Sequence, residues 1–348
     1  MSRYYTRACN FYYGNLSKKL VKQNQSFPVG GNQLISFDSI EIITKKSKKK
    51  ISIKKIKYLN NDLKKKIKID LRNIIKKKKF KGLNMNLYPN IMGVLNITPD
   101  SFSDGGKYFK DNLAKKRLNS LFRNGANIVD VGGESTRPGS KPIDFRTEWK
   151  RVKKILQIPF KKKIISLDTR KSIIMEKGIK KGVKIINDVS GLNYDKDTIS
   201  VLKKYKTSFI LHHSLGNPDK MQKNPKYQNV LLDIYDFFEK KINFLRAQGI
   251  KHNNIIIDPG IGFGKNLKHN ITILKNISIY HSLGFPILLG ISRKRFIKEL
   301  SGENDSNSRI GGTIASSLFA IMQGVQMLRV HDVNEIKQSI KVFKKLIT

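Results

Sequence analysis

From residue 90 onward, apolar runs alternate with amphipathic stretches. Ile91-Met92-Gly93-Val94-Leu95 is the first run; it ends at Asn96-Ile97, before Thr98-Pro99-Asp100 breaks it. Comparable runs span 91–97, 127–133, 163–169, 184–190, 208–214, 255–260, 287–292 and 327–333. They are rich in Val, Ile and Leu and lack period-two alternation, as expected of strands buried on both faces. Helical periodicity separates them near 111–124, 145–158, 171–181, 196–205, 229–247, 267–282, 309–323 and 333–346. Eight strand signals with eight helices predict an α/β protein. The expected fold is a (β/α)8 TIM barrel of about 250 residues rather than an open sheet.

The first 87 residues are patterned differently. Residues 34–43 have strand composition, 45–50 read as a basic turn, and 51–56 as a second strand. Residues 61–80 carry Leu63, Ile67, Ile69, Leu71, Ile74 and Ile75 among lysines, the pattern of an amphipathic helix. The expected organisation is a small basic β-hairpin/helix extension over 1–87, of unassigned role, and a barrel domain over 88–348. The extension is expected to pack on the outside or the bottom of the barrel.

Polar residues gather where the barrel strands end: Asn96, Asp130 and Glu134, Asp168, Asn187 and Asp188, His212 and His213, Asp258, Ser292, Arg329 and His331. The C-terminal rim is where such barrels build active sites. The run from Thr98 to Gly106 suggests a loop that closes over this rim.

Net charge is +43 over 348 residues. Lysine far outnumbers arginine, and isoleucine and asparagine are abundant, as expected of an AT-rich coding bias; the alternative is a field that attracts anions such as phosphates or nucleic acid. Lys64–Lys66 and Lys76–Lys79 carry little aromatic interleaving. They are expected to be solvated faces rather than nucleic-acid contacts. Cys9 is the single cysteine, which excludes an internal disulfide and fits a reducing cytoplasm. No apolar run approaches the ~20 residues of a membrane span, and the first residues lack a signal-peptide centre.

The strand ends also carry recognisable chemistry. Asp168, Asn187 and Asp258 converging on one cavity suit a flat polar heterocycle. A carboxylate accepts two parallel N–H bonds, and an amide offers both donor and acceptor. Asp258 has a plainer reading as a turn cap before Pro259. Gly132-Gly133-Glu134-Ser135-Thr136-Arg137-Pro138-Gly139 offers freed backbone N–H groups, a hydroxyl and a guanidinium for an anion. Arg329 and His331 lie on the same side of a strand, a cation and an imidazole that together suit a diphosphate cradle. His212 and His213 face opposite ways, so at least one is a satisfied interior histidine. No Cys/His set has zinc spacing, and no phosphate loop of the G-x-x-x-x-G-K-[ST] type occurs.

These motifs together resemble the dihydropteroate synthase family of pterin-binding TIM barrels. The resemblance rests on Leu95 to Gly106, Asp130 to Gly139, Asp168-Thr169, Asn187-Asp188, Asp258 to Lys265, Ser292 to Phe296 and Arg329 to Val333, in that order. It implies the Mg2+-assisted condensation of (7,8-dihydropterin-6-yl)methyl diphosphate with 4-aminobenzoate in tetrahydrofolate biosynthesis. The route is SN1-like and gives 7,8-dihydropteroate and diphosphate. It further implies Asn96 as the Mg2+ ligand. Thr136, Asp168, Asn187, Asp258, Lys294, Arg329 and His331 would take the pterin diphosphate. Phe102, Ser135, Arg137, Pro138 and Ser292 would take 4-aminobenzoate. Asp104, Asp168 and Lys294 are the implied catalytic residues. A cytoplasmic homodimer sensitive to sulfonamides completes the expectation, because the loop 101–106 carries no insertion.

Two competing readings are weighed against it. A pterin-dependent methyltransferase barrel would share the carboxylates but would not need a diphosphate cradle; Arg329, His331, Lys294 and the Asn96 loop favour the synthase. Nucleic-acid binding through the basic extension is the second alternative.

Overall fold

The structure is a computed structural model that describes residues 3–85, 89–98, 111–135, 140–159, 163–216 and 224–347. Its larger part is an eight-stranded parallel sheet rolled into a ring. The strands are β5 (Asn90–Asn96), β6 (Ile128–Gly132), β7 (Ile164–Asp168), β8 (Ile185–Asp188), β9 (Ser208–His212), β10 (Ile255–Asp258), β11 (Leu288–Leu289) and β12 (Met327–Val330). They pair in the order β10-β9-β8-β7-β6-β5-β12-β11. A parallel bridge from Ile257 to Ile287 closes the ring, with Ile257 N–H donating to Pro286 O at 3.0 Å. The TIM barrel expected from the alternation is therefore the fold.

Strand alternation divides the side chains into two sets. Phe209, Leu211, Ile255, Ile257 and their counterparts pack outward in the large core shared with the helices. Met92, Ile128, Ile185, Ile210, Ile256, Leu288 and Met327 form a separate cluster inside the ring. Two residues further along each strand, on the same face, lie Val94, Asp130, Asn187, His212, Asp258, Gly290 and Arg329. The interior is thus layered, with an apolar floor below a polar layer.

The elements before the barrel are more extensive than a hairpin and helix. They are β1 (Tyr5–Tyr13), α1 (Gly14–Lys22), β2 (Phe27–Val29), β3 (Asn32–Ile43), β4 (Lys48–Ser52) and α2 (Asn61–Ile75). The central strand β3 pairs antiparallel with β1, β2 and β4. The expected hairpin is β3–β4, but the second strand stops at Ser52 and a 3-10 turn occupies Ile53–Tyr58. Asn60 caps α2 by accepting from Leu63 N. The helix ends at Ile75 instead of running to 80, because Lys76 leaves helical geometry at φ −58, ψ 135. Ala8, Phe37, Ile40, Ile67, Leu71 and Ile74 belong to a core of the extension's own.

The extension is also stitched to the barrel. Tyr5 donates to Asp236 at 2.8 Å and meets the Tyr235 ring edge-on at 5.1 Å. Ser278 donates to Ala8 O at 2.8 Å, and Asn73 to Ser282 O at 2.9 Å. Phe80 joins the apolar floor of the ring, and Leu83 packs against it. The basic run 76–79 is not wholly solvated either. Lys78 is 4% exposed and donates to Asn73 O.

Helices α3 (Asp111–Arg123), α4 (Phe145–Leu156), α5 (Ser172–Lys180), α6 (Thr198–Tyr205) and α7 (Val230–Ala247) alternate with the strands as expected, and the barrel departs from the expected elements in two places. An additional helix, α9 (Arg295–Ser301), precedes α10 (Ile310–Met322). The helix expected over 267–282 splits into α8 (Leu267–Lys275) and a 3-10 turn at Ile277–Leu283, where the extension docks.

Candidate active site at the mouth of the barrel

The polar layer sits where the strand ends bring opposite charges into contact. Arg329 donates through Nε to Asp130 Oδ2 at 2.7 Å and through Nη2 to Asp168 Oδ2 at 2.8 Å. Asn187 Nδ2 donates to the same Asp130 oxygen at 2.9 Å. Asp130 Oδ1 and Asp168 Oδ1, both buried, have no partner among the described residues. A buried carboxylate oxygen without a donor is costly unless a ligand supplies one. The Arg329 guanidinium is tied to two carboxylates rather than standing free at the mouth, a partnership that strand alternation alone does not reveal.

Asp258 ends β10 beside His212 of β9. Its Oδ1 accepts from Gly260 N at 2.8 Å, so the turn-cap reading of Asp258 is correct as far as it goes. Gly260 adopts φ +68, and a Cβ there would meet His213 O at 2.0 Å; only glycine fits. The chain then turns through Phe263, whose ring lies 4.2 Å from Lys294 Nζ. Lys265 is buried beneath and donates to Phe263 O at 2.9 Å, holding that loop in shape.

Burial raises the Asp258 carboxyl to about 6, opposed by the Gly260 N–H and by Lys294, Lys265 and Arg329. Burial lowers Lys294 to about 8, and Arg329 pushes in the same direction against Asp258 and Asp168. Asp168 is raised by burial, and Arg329 only partly offsets this because Asp130 lies beside it. Asp258 accepts N–H donors when ionised, so kcat/KM is expected to fall as pH drops through about 6. Lys294 loses its charge as pH rises through about 8, so kcat/KM falls there too. A rate profile flat from pH 5 to pH 9 would contradict both assignments. The sign for stability is opposite: the raised Asp258 pKa favours the fold at acid pH, and that contribution is lost as pH rises through about 6.

Ser292 and His331 are brought together: Ser292 Oγ lies 3.0 Å from His331 Nδ1 and accepts from His331 N at 3.2 Å. Between Ser292 and Lys294, Arg293 takes φ +61 and turns away to Asp332, with Nε to Oδ2 at 3.0 Å. Asn96 closes β5 next to Gly132, where a Cβ would stand 3.2 Å from Asn96 Oδ1 and 3.5 Å from Asp168 Cβ. Phe102, Asp104, Thr136, Arg137 and Pro138 lie outside the described residues, as does the loop 101–106. Ser135 is the last described residue before 136–139, and its carbonyl accepts from Ser140 Oγ at 2.6 Å.

Two buried features of the site carry no local signal in the sequence. Asp130 stood among the strand-end polar residues but had no assigned role; here it links Arg329 to Asn187. Glu134 accepts from Arg170 Nε at 3.1 Å and from Lys171 Nζ at 3.0 Å, and Lys171 also reaches Glu148 at 2.6 Å. This buried network anchors the chain on either side of 136–139, since Ile143 N also donates to Glu134.

The pterin binding enzyme family matches residues 92–331. A dihydropteroate synthase of Neisseria meningitidis serogroup C is 41% identical over 268 residues, 74% of this chain and 93% of that protein. The chain belongs to the dihydropteroate synthase family. Solved structures of the family agree. The Yersinia pestis dihydropteroate synthase with a sulfonamide drug complex superposes with a TM-score of 0.73 at 34% identity, covering 77% of this chain and 98% of that one. The Xanthomonas albilineans dihydropteroate synthase in complex with 7,8-dihydropteroate gives 0.67 at 29% identity, covering 76% and 95%. The family match begins within β5, so the N-terminal sheet precedes it.

Proposed function

We propose that this chain is a dihydropteroate synthase. It joins (7,8-dihydropterin-6-yl)methyl diphosphate to 4-aminobenzoate and releases diphosphate. The observation that carries the reading is the polar layer across the barrel. Asp168, Asn187 and Asp258 are buried at the ends of β7, β8 and β10, and Asp168 Oδ1 is left without a donor among the described residues, in a chain that belongs to a family of pterin binding enzymes.

In this reading the carboxylates of Asp258 and Asp168 and the amide of Asn187 hold the polar edge of the pterin. Lys294 lies over Phe263 at the cavity wall. The methylene C–O bond breaks, and its electron pair leaves with diphosphate. The ring nitrogens spread the positive charge that remains, and the buried carboxylates favour it electrostatically. The aniline nitrogen of 4-aminobenzoate forms the new C–N bond and then loses a proton to solvent. Arg329 and His331, with Thr136, are assigned to the diphosphate. Ser292, Ser135, Arg137, Pro138 and Phe102 are assigned to 4-aminobenzoate, and Asp104 to the closing loop.

Asn96 fits Mg2+ in one particular way. Among the described residues no group of three His, Cys, Asp or Glu could hold a metal. A single amide oxygen suits a magnesium ion that takes its other ligands from phosphate and water. Bound there, the ion would neutralise diphosphate charge. Asn96→Ala is expected to shift the Mg2+ titration of the rate to higher concentration, about tenfold for one lost ligand. An unchanged titration would refute the ligand role.

A homodimer belongs to the same proposal. Exposed Phe319 on α10, and Val342 and Leu346 on α11 (Val333–Ile347), offer it apolar surface. A single-subunit mass in solution would contradict it. No helix among the described residues is long and apolar enough to cross a membrane; a cytoplasmic location is part of the proposal. Chromatographic detection of 7,8-dihydropteroate from the two substrates and Mg2+ tests the activity. The product is expected only when both substrates are present, and a sulfonamide competing with 4-aminobenzoate should suppress it. Absence of product at every Mg2+ level would overturn the reading.

A further inference from the structure

His212 belongs to the polar layer, and the assigned roles do not use its chemistry. It is 2% exposed. Its place on β9 fixes its direction: Phe209 and Leu211 pack outward with the helices, while Ile210 belongs to the interior floor. His212, two residues beyond Ile210, therefore points into the ring, and it pairs in register with Asp258. Arg329, Asp130 and Asn187 are bonded to one another, and Asp258 holds the Gly260 N–H. His212 Nδ1 has no hydrogen-bond partner among the described residues. Apart from this, the ring meets Phe263 edge-on at 4.5 Å. Packing alone would be served by any apolar side chain, yet an imidazole stands there with a buried polar atom unmet.

The imidazole is neutral. Burial lowers its pKa well below the usual histidine range, and the nearby cations Lys265, Lys294 and Arg329 lower it further; the Val189 backbone opposes this without outweighing it. A neutral imidazole offers one donor and one acceptor; with its N–H turned to the Val189 backbone, Nδ1 is left as an acceptor, which suits an N–H of a lactam or amidine edge rather than a charge.

We propose that His212 is a specificity-determining residue that hydrogen-bonds the bound pterin ring beside the edge taken by Asp258. This rests on the dihydropteroate synthase reading above. It assigns His212 to recognition of the heterocycle and to neither diphosphate departure nor 4-aminobenzoate binding.

The test compares wild type with His212→Phe, which keeps a ring against Phe263 but removes both nitrogens, and His212→Asn, which restores a polar group near Nδ1. KM is measured separately for the pterin diphosphate and for 4-aminobenzoate. The Phe variant is expected to raise KM for the pterin diphosphate about tenfold, the size of one neutral hydrogen bond to a ligand. KM for 4-aminobenzoate and kcat should stay within about twofold, and Asn should recover most of the loss. A Phe variant with wild-type KM, an Asn variant as poor as Phe, or equal rises in both KM values would overturn the proposal. Should Phe fail to fold by thermal melting, His212→Met carries the same comparison. If wild type itself forms no dihydropteroate, the functional reading fails first. If wild type is active and the variants match it, only the role of His212 fails.

Discussion

Replacing Asp258 with alanine is expected to raise KM for the pterin diphosphate by roughly 30- to 1,000-fold, the equivalent of about 2–4 kcal/mol for a buried charged hydrogen-bond pair. The size follows from position. The carboxylate is 4% exposed, so no water replaces it cheaply when it is removed. It also offsets Lys265, Lys294 and Arg329, which would be left facing one another with less counter-charge. KM for 4-aminobenzoate should change far less, because that substrate is assigned to the rim rather than the layer. Asp258→Asn separates the two contributions. It can still accept from Gly260 N–H but carries no charge, so it should behave much like alanine if charge-assisted bidentate binding matters. If both variants keep wild-type KM, Asp258 is a turn cap and no more.

The second large effect concerns the extension. Removing residues 1–87 is expected to destabilise the barrel by more than about 5 kcal/mol, since each fully buried aromatic or aliphatic side chain contributes about 1.5–3 kcal/mol. Tyr5 and Phe80 are among the side chains lost, and Phe80 covers the interior floor beside Met92, Ile210 and Met327. The 88–348 fragment should therefore melt at least about 10 °C lower or remain insoluble. Phe80→Ala alone should cost about 3–5 kcal/mol, because the floor cannot close over the space left behind. A fragment as stable and soluble as the full chain would show that the extension is an independent appendage. That outcome would also reopen a separate role for its basic surface.

The barrel was legible in the sequence because its signals repeat. Each strand is a short apolar run, and each ends on a residue that burial would otherwise forbid. Asp168, Asn187, Asp258 and Arg329 were visible for that reason. Their pairing was not, because it is a contact across the ring. Arg329 reaches Asp168 over 161 positions of chain, and no local pattern encodes that. The edges of the fold were harder for the same reason. β1 reads Tyr-Thr-Arg-Ala-Cys-Asn-Phe-Tyr-Tyr, an aromatic cluster without alternation, because part of it faces the barrel rather than solvent. β11 shrinks to Leu288–Leu289 and stops before Gly290, where a Cβ would stand 3.9 Å from Arg329 Cβ and 4.0 Å from Asp258 Oδ2. Lys78 sits in a lysine run that suggests a solvated face, yet it satisfies carbonyls at the seam between extension and barrel.

The central claim is that the polar layer holds a pterin diphosphate while its methylene C–O bond breaks and an arylamine takes its place. The most direct measurement uses substrate labelled with 18O in the bridge between the methylene carbon and the first phosphorus. The account predicts that the label leaves entirely in diphosphate, with one diphosphate for each 7,8-dihydropteroate formed. Label retained on a hydroxymethylpterin, or diphosphate released with no dihydropteroate while 4-aminobenzoate is present, would contradict it.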